Sequence, residues 1–173
     1  MQKGDVVLDL GAAPGGWVQA AAKVVGTRGI VLGVDLKSIE PFPQMRIRTI
    51  IGDIAEPETL EQILVMLPRK ADVVLSDASP NISGIWEVDH ARQIDLAFQA
   101  LEIALQVLNS SGSFFVKVFQ GDMLDDYIKK MQEHFKIVRV IKPKASRAKS
   151  SEIFILGMQP KNSPSENNTH KSY

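Results

Sequence analysis

An apolar run, Val6 to Leu10, passes directly into Gly11-Ala12-Ala13-Pro14-Gly15-Gly16-Trp17, and a helical pattern follows. A buried strand that opens through glycines into a helix leaves bare backbone for a ligand to press against. Asp9 puts a carboxylate near the same turn. The combination suits a nucleoside ligand that carries hydroxyls and an ammonium group.

The same alternation continues along the chain. Strands are expected at Val6–Leu10, Gly29–Leu36, Arg46–Ile51, Ala71–Asp77, Ser113–Phe119, Ile137–Ile141 and Glu152–Met158. Helices are expected from Pro14 to about Val25, over Pro57–Leu67, over Asp89–Leu108 with Asp89 as cap, and over Asp122–Phe135. Repeated β-α order with near-continuous apolar strands means a parallel sheet covered on both faces, an α/β, doubly wound, Rossmann-like fold. The last two strands have no helix between them, so they are expected as an antiparallel pair at one edge. With 173 residues, one domain spans 1–159. Residues 160–173 are polar and are expected to be a disordered tail.

Composition removes several classes of chemistry. The chain has no cysteine, which excludes disulfides, thiolate catalysis and iron–sulfur clusters. Its three histidines, His90, His134 and His170, are scattered, so no metal site is expected. No apolar run is long enough to span a membrane and no signal segment opens the chain. A cytoplasmic monomer is expected. The formal net charge is zero, yet Lys136, Arg139, Lys142, Lys144, Arg147 and Lys149 form a basic stretch without an acidic residue. Such a stretch is either a solvated face or a seat for a polyanion.

In a doubly wound sheet, ligands bind beyond the carboxyl ends of the strands. Four aspartates fall at such ends: Asp9, Asp35, Asp53 and Asp77. Asp35 suits ribose hydroxyls and Asp53 an adenine amino group. Asp9 or Asp77 can face an ammonium or a sulfonium. A helix start near Pro14 offers free N–H groups to a carboxylate. These features together describe S-adenosylmethionine. Dinucleotide binding expects G-x-G-x-x-G, whereas the glycines here are Gly11, Gly15 and Gly16, and no Gly-Lys-Ser/Thr completes a phosphate loop. Trp17 either walls the site or packs in the core.

A second group of residues accompanies the first. Ser76-Asp77-Ala78-Ser79-Pro80-Asn81 follows the fourth strand, Lys117 is embedded in Phe114–Phe119, and Glu152 begins the last strand. If these strand ends converge, Asp77, Lys117 and Glu152 form a charged cluster beside the methyl donor.

These residues carry a resemblance. The segments Asp9 to Trp17, Ser76 to Ser83 with Gly84, Val116-Lys117-Val118-Phe119-Gln120-Gly121 and Lys142-Pro143-Lys144-Ala145-Ser146-Arg147 resemble the FtsJ (RrmJ/RlmE) family of ribosomal RNA 2′-O-ribose methyltransferases. The resemblance implies a seven-stranded sheet, S-adenosylmethionine as cofactor, and a Lys-Asp-Lys-Glu catalytic set. Asp77, Lys117 and Glu152 match three of its members, with Lys117 as proton acceptor. The expected cofactor contacts are Asp9, Gly11, Ala12, Pro14, Gly15, Trp17, Asp35, Asp53, Ile54 and Asp77. Lys142, Lys144, Arg147 and Lys149 are the expected RNA contacts. The expected partner is ribosomal RNA or the large ribosomal subunit, with a uridine ribose as acceptor.

The family's first lysine lies in a helix upstream of the glycine-rich strand. Lys3 is out of position to replace it. The expectation is therefore an N-terminally shortened form, or one that works without that residue. A tRNA or mRNA-cap substrate, or a non-catalytic RNA-binding or assembly module that keeps the cofactor pocket, stays open at the level of sequence.

Overall fold

The computed structural model describes residues 1–142 and 151–161. Seven strands form one sheet: β1 (Val6–Leu10), β2 (Ile30–Asp35), β3 (Ile47–Ile51), β4 (Ala71–Ser76), β5 (Leu108–Phe119), β6 (Phe135–Ile141) and β7 (Glu152–Pro160). Four helices connect them: α1 (Gly16–Val25), α2 (Pro57–Met66), α3 (Trp86–Val107) and α4 (Leu124–His134). The strand order is β3-β2-β1-β4-β5-β7-β6. β1 to β5 run parallel, while β7 is antiparallel to both β5 and β6. This is a Rossmann-like sheet with the expected antiparallel edge pair.

Period-2 alternation divides the core. Val6, Leu8 and Leu10 of β1 join Ile63 of α2, the apolar face of α3 and Tyr127 and Met131 of α4. Val7 faces the other way, with Val18, Ala21, Ala22 and Val25 of α1. Asp9 shares the Val7 face. Pairing in register then sets one lateral row across the sheet: Ile50, Val34, Leu10, Ser76, Val116 and Ile155. The next residue of each parallel strand and the preceding residue of antiparallel β7 lie on a common rim. Asp35, Gly11, Asp77 and Lys117 are on that rim because the pairing lines up, not because they are near in sequence.

Several boundaries differ from the sequence expectation; β5 begins at Leu108 rather than Ser113, and β6 at Phe135 rather than Ile137. α1 begins at Gly16 rather than Pro14, because Gly15 holds φ 111°, a left-handed conformation outside the helix. A Cβ at Gly15 would also meet Phe42 at 2.9 Å. α3 begins at Trp86, so Asp89 is inside its first turn and is not the cap. The Asp89 carboxylate instead accepts from Ser83 N–H at 2.8 Å, Ser83 Oγ–H at 2.7 Å and Gly84 N–H at 3.1 Å. Those bonds, led by the Ser83 N–H, hold its pKa below the usual carboxylate range. Finally, Pro160 closes β7 opposite Phe135, and Lys161 N–H donates to the His134 carbonyl at 2.7 Å. The folded unit therefore reaches two residues into the segment read as tail; residues 162–173 lie outside the described residues.

Candidate active site

The glycine-rich turn is shaped by what it touches. Gly11 holds φ +76°, and a Cβ there would stand 2.5 Å from the backbone of Ala78. Only glycine lets the turn after β1 lie this close to the loop after β4. The turn is also tied to β2: the Asp35 carboxylate accepts from Ala13 N–H at 2.9 Å and from Lys37 N–H at 2.9 Å. Asp53 closes its own turn by accepting from Ala55 N–H at 2.9 Å.

Between these loops lies a cavity of about 530 Å³, within the range of small-molecule sites. Gly11, Asp35, Asp53, Ile54 and Asp77 line it, as do Asn81, Arg92, Asp95 and Gln99. Asp9, Ala12, Pro14, Gly15 and Trp17 are outside that lining. Ala12 is buried under α1, and the Trp17 ring packs against Phe115 and Phe154, with centroids 6.0 and 5.9 Å away. Pro14 is exposed on the turn and Gly15 is buried behind it.

Asp9 is wholly buried, and neither carboxylate oxygen has a hydrogen-bond partner within the protein. Burial raises its pKa to about 7, and the nearby charges of Asp77 and Asp35 add to the rise. An unpaired buried carboxyl of this kind is costly in the folded chain and is ready for a cationic partner.

The second group converges on the same rim. Lys117 Nζ lies 2.7 Å from Asp77 Oδ1 and 3.9 Å from Glu152 Oε1. It also donates to the Asp77 carbonyl oxygen at 3.4 Å. The Lys117 side chain is 10% exposed, so it is almost wholly enclosed. Lys117 and Phe115 alternate to the face opposite Phe114, Val116 and Val118, as the strand pattern implies. Asp77 borders both the cavity and the amine.

The basic stretch is only partly described. Lys136 and Arg139 are exposed on β6, the edge strand next to β7, and Lys142 is exposed beyond its end. Lys144, Arg147 and Lys149 lie outside the described residues.

Sequence reading did not single out Arg92, Asp95 and Gln99. They sit at helical spacing on one stripe of α3, which as a pattern reads as a solvent face. The sheet turns that stripe toward the cavity. Gln93, which also went unremarked, is buried between α3 and the strand ends.

A model of the FtsJ-like methyltransferase family matches residues 1–160. The chain belongs to that family. A ribosomal RNA large subunit methyltransferase E from Methanothrix thermoacetophila is 53% identical over 164 residues, covering 95% of this chain and 63% of the relative. The protein of the same name from Methanocaldococcus jannaschii is 47% identical over 159 residues, covering 90% of this chain and 65% of the relative. The chain thus spans 58–65% of the length of the first curated relatives it matches. A crystal structure of an assigned ribosomal RNA methyltransferase from Plasmodium falciparum superposes with TM-score 0.77 at 25% identity, covering 92% of this chain and 88% of that one. S-adenosylmethionine is the cofactor of this methyltransferase family. The cavity fits it on two structural grounds: the buried, partnerless Gln99 Oε1 in its lining, and the partnerless Asp9 carboxyl behind the glycine-rich turn that borders it.

Proposed function

We propose that this chain transfers a methyl group from S-adenosylmethionine to a ribose 2′-hydroxyl of RNA, and that the RNA is large-subunit ribosomal RNA with a uridine as target. The observation that carries the reading is the Lys117–Asp77 contact at 2.7 Å, on the border of the cavity. An amine almost wholly enclosed by protein, and held by an aspartate that itself lines a nucleoside-sized cavity, is suited to one hydroxyl at a time. The names of the two archaeal relatives support the choice of ribosomal RNA.

The cofactor would be held by Asp35 at its ribose hydroxyls, by Asp53 and Ile54 at its base, and by Asp9 or Asp77 at its cationic end. When bound, it supplies a methyl group activated by the sulfonium charge. The protein's task is alignment and proton removal. Lys117, once it has given its own proton to solvent, orients the 2′-hydroxyl and as the neutral amine takes its proton, and Asp77 fixes the amine. Glu152, 3.9 Å from the same amine, adds a second carboxylate to the cluster. The basic edge at Lys136, Arg139 and Lys142, continued by Lys144, Arg147 and Lys149 in sequence, would contact phosphates and so position the RNA without reading its bases.

Methyl transfer from isotopically labelled S-adenosylmethionine to large ribosomal subunits, free ribosomal RNA and tRNA tests the reading. A label resistant to base removal and mapped to a single 2′-oxygen of large-subunit RNA is expected. Label on a base, or on tRNA alone, overturns it.

A further inference from the structure

The ladder between β4 and β5 stops one residue short of the charged pair. Its last register pair is Ser76 with Val116. Beyond it, Asp77 N–H turns to the Leu10 carbonyl at 3.0 Å, and Lys117 pairs with Phe154 of β7. Asp77 therefore follows β1 and Lys117 follows β7, although their side chains must meet. Among the described residues, no ladder bond between β4 and β5 spans that gap.

Gln93 of α3 lies across it. Its side chain is 1% exposed. Nε2 donates to the Lys117 carbonyl at 2.8 Å and, more weakly, to the Ala78 carbonyl at 3.5 Å. Oε1 accepts from Phe119 N–H at 3.3 Å. One carboxamide therefore grips β5 on both sides of Val118 and reaches the residue after Asp77. A primary amide alone supplies two donors and an acceptor in one plane. Glutamate lacks the donors, and methionine lacks both functions.

Resting on the proposed reaction, we infer that Gln93 is a positioning residue: it joins the Lys117 and Ala78 backbones where the ladder has ended, and so sets the Lys117 amine on Asp77. It touches no reacting atom. It acts through the spacing of two strand ends. A glutamine that served only to satisfy buried backbone groups would affect stability and leave the turnover of folded protein untouched.

The test compares Gln93→Met and Gln93→Asn with wild type. Methionine keeps the length and removes the bonds; asparagine keeps the chemistry and shortens the reach, and it decides the matter if the methionine variant fails to fold. Turnover is measured well below each melting temperature, with S-adenosylmethionine and large ribosomal subunits. A misplacement of about 1 Å costs up to about 100-fold in rate, so kcat is expected to fall by about 10- to 100-fold. KM for the RNA and the calorimetric Kd for S-adenosylmethionine should stay within about twofold. Crystal structures of the variants should show the Lys117–Asp77 pair opened past about 4 Å, the limit of an ion pair. Unchanged kcat in a folded variant, or an intact pair in its structure, overturns the inference. A wild type that methylates no RNA overturns the proposed reaction alone, and the separation of Lys117 from Asp77 then decides the role of Gln93.

Discussion

Lys117 Nζ and Asp77 Oδ1 meet at 2.7 Å across 40 residues of chain, each at the carboxyl end of a parallel strand. Side chains on neighbouring parallel strands share a face when their register matches, and the Ser76–Val116 pairing makes the next residue of each strand coincide. Sheet register thus brings the two strand ends side by side as far as Ser76 and Val116, one residue before the charged pair. A one-residue slip of β5 would send Lys117 to the α3 face.

Replacing Lys117 by alanine should lower methyl transfer by at least about 100-fold, in the range of a lost general base. Cofactor affinity should change little, because Lys117 is absent from the cavity lining. Single-turnover transfer and calorimetric titration read the two quantities separately. Full activity in Lys117→Ala removes the amine from the mechanism. A pH–rate profile of Lys117→Arg then separates proton acceptance from orientation, since arginine orients a hydroxyl without taking its proton.

Asp9 makes the stability of the ligand-free protein depend on pH. Its carboxyl titrates near 3.8 in an unfolded chain and about 7 in the fold. Between those values the folded state holds a proton that the unfolded state has lost, so stability falls as pH rises toward 7 and then levels off. Asp9→Asn removes the dependence. Its melting temperature should match wild type near pH 4 and exceed it by roughly 5–10 °C at pH 8, from a difference on the order of 2–4 kcal/mol. Calorimetric scans at the two pH values check this; a variant less stable than wild type at pH 8 refutes it.

The Asp35 carboxylate already accepts from two N–H groups of the turns around it. Asp35→Ala should loosen those turns and weaken S-adenosylmethionine by about 10- to 100-fold, the effect of losing charge-assisted hydrogen bonds of about 1.5–3 kcal/mol. Titration calorimetry measures it. S-adenosylmethionine should raise the wild-type melting temperature, and NAD should leave it unchanged. A stabilising effect of NAD would return the cavity to the dinucleotide class.

RNA affinity should fall steeply with salt, because phosphate contacts release counterions. Substituting Lys142 by alanine should reduce the slope of log K against log salt by about 0.7–1 and leave nucleotide preference unchanged. Filter binding over a salt series measures this. A salt-independent affinity would remove the basic edge from substrate binding.

Most of the architecture is legible in the linear pattern. The strand and helix order follows from the alternation of apolar runs with helical spacing, and the antiparallel edge follows from the missing helix after Ile141. The errors fall where local conformation depends on one dihedral or one distant contact. Pro14 looks like a first-turn residue until Gly15 takes a left-handed φ. Asp89 looks like a cap until Ser83 and Gly84 come back to it. Trp17 left two readings open, and only the packing of Phe115 and Phe154 against its ring shows where it sits. The α3 stripe of Arg92, Asp95 and Gln99 had the spacing of a water-facing surface, so it drew no attention.

The linear order of residues by itself determined the class of fold, the glycine-rich turn and the kinds of side chain at each strand end, since periodicity and residue chemistry are local properties. It also marked Asp77, Lys117 and Glu152 as members of one cluster on the condition that their strand ends converge. Convergence was decided by tertiary structure alone. Register between strands far apart in sequence depends on how both sheet faces pack. The same packing stripped Asp9 of partners and placed Gln93 across the gap beyond the ladder, and no local pattern encodes either result.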